Sequence, residues 1–205
     1  MRQALQTTLW STDEQPAIGP LHPTRRTPLS HGAWIDLLPG WLTGADALFD
    51  HLVDTVPWAA ERRRMYDAVV DVPRLLAFYG AQTPFPHPVL SQARDALSAH
   101  YAEPFTTAGL CFYRTGADSV AWHGDTQGRG AHTDTFVAIV SVGAPRVLAL
   151  RPREGGGAGH RIPLGHGDLL VMGGSCQRTW EHAVPKTSKA VGPRISIQFR
   201  PAGVR

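Results

Sequence analysis

Phe136–Gly143 (FVAIVSVG) and Arg146–Pro152 (RVLALRP) decide the fold class. Each is a short apolar run bounded by Gly or Pro, the pattern of a buried β-strand rather than of a helix of ten or more residues. Similar runs lie on either side: Gly109–Arg114 (GLCFYR), Ser119–His123 (SVAWH), His160–Leu164 (HRIPL), Asp168–Gly174 (DLLVMGG), Thr179–Pro185 (TWEHAVP) and Arg194–Phe199 (RISIQF). Eight short strands within about ninety residues imply a sandwich or a jelly-roll barrel.

The chain before these runs has a different period. Leu42, Ala45, Leu48, Phe49, Leu52, Val53 and Val56 follow helical spacing up to Pro57, and Val89, Leu90, Ala93, Leu97 and Tyr101 repeat it after the Pro-rich TPFPHP. Two amphipathic helices are therefore expected. The first 28 residues carry no period and read as an extended arm. Residues 29–205 read as a single domain, with 29–104 as helical support and 105–205 as the jelly-roll core. The expected class is α+β, mainly β.

With 205 residues, 42% hydrophobic and 18% charged, the chain is long enough to bury a core, which excludes disorder and fibrous architectures. Cys111 and Cys176 cannot form a disulfide framework or a four-cysteine zinc site, and they fit a reducing compartment. The opening residues lack the apolar core of a signal peptide, and no apolar stretch is long enough to span a membrane. A cytoplasmic protein without membrane contact is expected. Of the 20 Lys and Arg residues only Lys186 and Lys189 are Lys, and the net charge is +3. A GC-rich coding bias accounts for an Arg surplus as readily as an anionic partner does, so net charge decides nothing.

His and Asp are more informative. A His-x-Asp pair on an extended segment puts both side chains on the same side of the backbone, where they can take adjacent positions on one metal. A distant His completes the two-His, one-carboxylate set of non-haem Fe(II) oxygenases. Composition predicts fewer than one such pair by chance, and the chain has three. His166-Gly-Asp168 reads as the tight turn into DLLVMGG. His132-Thr-Asp134 follows the polar TQGRG, so no strand delivers it to a fixed place. His123-Gly-Asp125 ends SVAWHGD, whose alternation sets Ala121, His123 and Asp125 on one side and Val120 and Trp122 on the other, with Trp122 read as core. His182 lies in another β-run and reads equally as a third ligand or as a buried imidazole bonded to a carbonyl.

Arg194 and Arg200 bracket the last run, and their spacing puts them on the face shared by Ser196 and Gln198. Two charges on an apolar strand are costly unless they hold an anion or lie exposed on an edge.

In this order, Tyr113, His123-Gly-Asp125, His182 and Arg194 to Arg200 resemble the AlkB family of 2-oxoglutarate/Fe(II) dioxygenases, which reverse alkylation damage in nucleic acids. Pro73–Gly80 (PRLLAFYG), Tyr113–Asp125 (YRTGADSVAWHGD), HGDLLVMGG and WEHAVPK support the likeness, which covers most of the chain. It implies a double-stranded β-helix buttressed by N-terminal helices, with a nucleotide-recognition segment inside 29–104. It also implies that His123, Asp125 and His182 hold Fe(II), with 2-oxoglutarate and O2 as co-substrates. Arg194 would pair with the distal carboxylate of 2-oxoglutarate, Tyr113 would hydrogen-bond to it, Ser196 would contact it and Arg200 would complete its pocket. The family usually carries Asn where this chain has Cys111 and Ser196, and some members carry an acidic residue at the position of Gln127.

The resemblance further implies decarboxylation of 2-oxoglutarate coupled to hydroxylation of an N-methyl group and release of formaldehyde. The substrates would be N1-methyladenine and N3-methylcytosine in single- or double-stranded DNA. A flipped base must be held by aromatic contacts. Tyr79 is the leading residue for this, then Trp58 and Phe85, with Gln127 reading the base and Arg74 at a phosphate. Arg62, Arg63 and Arg64 fit phosphate contacts or a solvated helix face equally. Two further readings remain: the same chemistry on RNA, a protein or a small molecule, and a silent jelly-roll that binds alkylated DNA. A monomer is expected.

Overall fold

The computed structural model describes residues 14–65, 68–155 and 158–204, with the backbone alone described at 62–65 and 68–71. In chain order the elements are β1 (Ala17–Ile18), β2 (Arg25–Pro28), β3 (Ala33–Leu38), β4 (Leu42–Thr43), α1 (Ala45–Thr55), β5 (Ala59–Met65), β6 (Ala68–Tyr79), α2 (Pro88–Tyr101), β7 (Phe105–Tyr113), β8 (Val120–His123), β9 (Val137–Gly143), β10 (Arg146–Pro152), β11 (His160–Leu164), β12 (Asp168–Gly174), α3 (Cys176–Thr179), β13 (Trp180–Val184) and β14 (Arg194–Pro201). An eight-stranded sheet in the order β2-β3-β12-β9-β14-β7-β6-β5 faces a four-stranded sheet in the order β11-β10-β13-β8. Every pairing in both sheets is antiparallel. This is a jelly-roll.

Side chains alternate between two cores. Val137, Ile139, Leu170 and Met172 from the large sheet meet Leu148, Leu150, Leu164 and Trp180 from the small one. On the opposite face of the large sheet, Val140, Val142, Ile195, Ile197 and Phe199 meet Leu48 and Leu52 of α1 and Leu90 and Leu97 of α2. Strands covered on both faces read as unbroken apolar runs, which is why FVAIVSVG shows no alternation. Neither α1 nor α2 contributes to the core between the two sheets.

Both helices form near the expected places. Pro88 occupies the first turn of α2, where its missing N–H costs nothing, and the His87 ring accepts from the Val89 N–H at 3.2 Å as its cap. Among the described residues, no helix is long and apolar enough to cross a membrane.

Three expectations need correction. The arm over 1–28 is not free of packed elements: residues 1–13 lie outside the described residues, but Arg25–Pro28 forms the edge strand of the large sheet. It escaped detection because it is edge-like in composition, with charges and a Pro in place of alternation. Arg26 pays for no burial of its own charge, since it clasps buried Asp36 in two 2.8 Å hydrogen bonds and lies over the Trp34 ring. Secondly, residues 29–104 are not purely helical support. Ala33–Leu38 is a sheet strand, and β5 and β6 form a hairpin that extends the large sheet beyond β7. The backbone of Arg62–Arg64 therefore belongs to a strand rather than to a helix, and the side chains lie outside the described residues. Finally, Trp122 is not core: it is 39% exposed on the uncovered face of the small sheet, under the Arg151 guanidinium.

Candidate active site

The distant His reaches the His-Gly-Asp segment through strand pairing. His182 of β13 is the direct cross-strand partner of His123 of β8, and their ring centroids lie 4.2 Å apart. Asp125 follows within two residues, and ligand atoms of His123, Asp125 and His182 all fall within 4.8 Å of one another. The Gly between the first two ligands is required by close approach. A Cβ on Gly124 would stand 2.4 Å from the Gln177 carbonyl oxygen, so no other residue fits beneath that turn.

Each ligand is prepared for metal. The His123 Nδ1 lies 2.8 Å from the Ala121 carbonyl, which can only accept, so Nδ1 carries the proton and Nε2 is left as the donor atom. Burial, then the neighbouring His123 ring, depresses the pKa of His182 to about 3, keeping its imidazole neutral. For Asp125 burial opposes ionisation, but the Arg200 guanidinium overcomes it and holds the carboxyl below its usual range. Two imidazoles and one carboxylate are the donor set that suits Fe(II) with open positions.

A cavity of about 1220 Å³ runs from this cluster between the sheets. Register fixes its far wall: Arg194 of β14 pairs with Tyr113 of β7, and Ser196 with Cys111. Arg194 is 1% exposed and donates Nε to Ser141 Oγ at 2.8 Å, while its Nη1 is buried without a partner. An unpaired guanidinium N–H is costly, and facing a cavity it fits the carboxylate of 2-oxoglutarate. Tyr113 is buried beside it, and burial, then Cys111, raises its hydroxyl pKa, so it remains a neutral hydrogen-bond donor. Arg200 meets the other end. Six residues along a strand is roughly 20 Å, so it lies beside the metal ligands and donates Nε to Asp125 Oδ2 at 2.6 Å.

The aromatic assignments shift by one register position. Tyr79 is 8% exposed and faces the helix-side core, edge-on to Phe85, whereas Phe78 is 57% exposed and lines the cavity. Trp58 packs on Phe112, and Phe85 on Phe199. Thus Tyr79, Trp58 and Phe85 support the core, while Phe78 stands on the cavity wall. Arg74 and Gln127 do line the cavity. Arg74 donates to the Ser119 carbonyl at 3.1 Å and leaves its buried Nε unpaired.

The other two His-x-Asp pairs serve the structure. Asp168 accepts from the Gly40 and Gly165 N–H groups at 2.8 and 2.7 Å, around a Gly167 with φ +81°. Asp134 pairs with Arg178.

Three supporting residues carried no sequence signal. Gln177, from the short α3, accepts the Asp125 N–H at 2.9 Å. Buried Arg146 donates to the carbonyls of Thr115, Asp118 and Pro185, and Asp118 grips Arg114 through backbone and side chain. Together they pin the loop that leads from Tyr113 to His123.

Comparison with known proteins agrees with this geometry. The family described as the 2OG-Fe(II) oxygenase superfamily matches residues 77–200. Alpha-ketoglutarate-dependent dioxygenase alkB homolog 3 of Bos taurus is 32% identical over 185 residues, covering 80% of this chain and 64% of the relative. The human DNA oxidative demethylase ALKBH2 is 30% identical over 178 residues, covering 76% of this chain and 68% of the relative. The chain thus spans just under two thirds of the length of the alkB homolog 3 relative. Because the family match takes in all three metal-cluster residues together with Arg194 and Arg200, and the human relative is 30% identical with two thirds of its length covered, the chain belongs to the AlkB family within the 2OG-Fe(II) oxygenase superfamily.

Proposed function

We propose that this protein removes N-methyl groups oxidatively from bases in DNA, with N1-methyladenine and N3-methylcytosine as substrates, acting as a monomer in the cytoplasm. The observation that carries the reading is a cavity with a His123, Asp125 and His182 cluster at one end, the buried unpaired Nη1 of Arg194 at the other, and exposed Phe78 on its wall. A relative named a DNA oxidative demethylase supports the substrate class. When bound, Fe(II) would let O2 be divided between 2-oxoglutarate, which would leave as succinate and carbon dioxide, and the methyl carbon, whose hydroxymethyl adduct would release formaldehyde.

The chain's own residues do the rest. Arg194, Tyr113 and Ser196 orient the co-substrate at the closed end. Asp125, held ionised by Arg200, and the imidazoles of His123 and of His182, the latter kept neutral by burial, would hold the metal at the other end. A base taken out of its stack needs an aromatic face, which Phe78 offers from β6, while Arg74 and Gln127 line the same wall. Mass spectrometry of oligonucleotides carrying each lesion, incubated with Fe(II), ascorbate and 2-oxoglutarate, should show methyl loss with the wild type and none with Asp125→Ala. Succinate formation stimulated by RNA, a peptide or a small molecule but not by methylated DNA would overturn the substrate. DNA binding with no succinate from any of them would overturn the chemistry.

A further inference from the structure

Gln198 lies on the cavity face of β14, between Ser196 and Arg200. Its Nε2 donates to Ser196 Oγ at 3.1 Å and to Cys111 Sγ at 3.4 Å, and its Oε1 accepts from Arg200 Nη2 at 3.2 Å. The reversed amide would set NH2 against the guanidinium donors, so the neighbours fix its orientation. Arg200 in turn gives Nε to Asp125 Oδ2. A single amide therefore joins the co-substrate end of the cavity to the metal carboxylate.

We propose that Gln198 is a positioning residue that sets both ends at once. This role rests on the cavity being the 2-oxoglutarate and Fe(II) site. A serine hydroxyl has one hydrogen. Because Ser196 Oγ accepts from Gln198, that hydrogen is released to donate into the cavity, toward a carboxylate of the co-substrate. At the other end Gln198 holds the outer edge of the Arg200 guanidinium, which keeps Nε directed at Asp125. Glu has nearly the same shape but reverses both effects. Its carboxylate would accept the Ser196 O–H, withdrawing a donor from the anion, and would compete with Asp125 for Arg200.

The test uses the full chain loaded with Mn(II), so that affinity is read without turnover. Calorimetry gives the 2-oxoglutarate dissociation constant, and the resonance of free Mn(II) gives the metal dissociation constant. Losing or reversing a hydrogen bond to a charged group changes affinity by about 10- to 100-fold. Gln198→Glu should weaken 2-oxoglutarate binding by about 30-fold and Mn(II) binding by about fivefold, and Gln198→Met should weaken 2-oxoglutarate binding by about tenfold. The variant Ser196→Ala/Gln198→Met should bind 2-oxoglutarate no more weakly than Ser196→Ala alone, because the donor that Gln198 orients is already gone.

A purely structural Gln198 would lower the thermal midpoint and leave both constants within twofold of wild type, and that result overturns the proposal. So does a double variant in which the two losses multiply. Wild-type protein that binds no 2-oxoglutarate would instead sink the underlying reading of the cavity, whatever Gln198 does.

Discussion

The two faces of the large sheet differ most sharply within one strand. On β14, Ile195, Ile197 and Phe199 lie fully buried beneath α1 and α2, while Arg194, Ser196, Gln198 and Arg200 line the cavity on the other side. Each apolar side chain on the first face contributes roughly 1.5–3 kcal/mol by leaving water. On the second face a buried guanidinium keeps its Nη1 group unpaired, a cost of at least about 1–3 kcal/mol. Stability is thus drawn from the helix side, and the cavity side holds a destabilising but purposeful arrangement that a ligand relieves.

Substitutions on the two faces should separate these contributions. Arg194→Met should weaken 2-oxoglutarate binding at least 100-fold, as loss of a charged pair does. It should leave the ligand-free thermal midpoint unchanged or higher, because an uncompensated buried charge is removed. A marked fall in that midpoint would break the comparison. Ile197→Ala should do the reverse, costing about 2–5 kcal/mol in urea melts while the folded fraction binds 2-oxoglutarate as before. Phe78→Ala should raise the KM for a methylated oligonucleotide by about 5- to 100-fold, equivalent to one stacked base, without changing stability. Tyr79→Phe, one residue away and facing the helices, should leave that KM unaltered. The smallest effect concerns pH. Burial opposes ionisation of Asp118, but its bonds to Arg114 prevail and hold its pKa below the ordinary value of 3.8. Its contribution is therefore complete above about pH 4 and lost as pH falls through the lowered folded-state value. Asp118→Asn should flatten that acid limb of the midpoint against pH.

Legibility in the sequence followed the same division. Runs such as FVAIVSVG and DLLVMGG are visible because both faces of their strands are covered, so that apart from Ser141 and Asp168 their residues are apolar or Gly. The His-x-Asp spacing and the six-residue Arg spacing were equally plain, since a strand's period of two puts like positions on one face. Arg25–Pro28 was hidden because an edge strand needs no apolar period. In PRLLAFYG the four residues Leu75 to Phe78 and Tyr79 after them are all apolar or aromatic, so alternation could not say which ring faces the cavity, and a shift of one position exchanges Tyr79 for Phe78. For Trp122 the alternation correctly turned it away from His123. Its exposure depended on something no local pattern records, namely that among the described residues no helix covers the outer face where Trp122 lies under Arg151.

The ligand pairing also bears on the mechanics of that sheet. β8 is four residues long, lies at the sheet's edge and, among the described residues, pairs with β13 alone, through a register that shifts after the His123 and His182 pair. Short edge strands open readily to solvent. A cation held by both imidazoles would act as a rivet through that one cross-strand pair, fastening the edge of the sheet as it completes the centre. Chelation would then empty the site and unfasten the strand together, and amide exchange at Ala121 and Trp122 would register metal loss as a local fraying while the double-covered strands of the large sheet stayed closed.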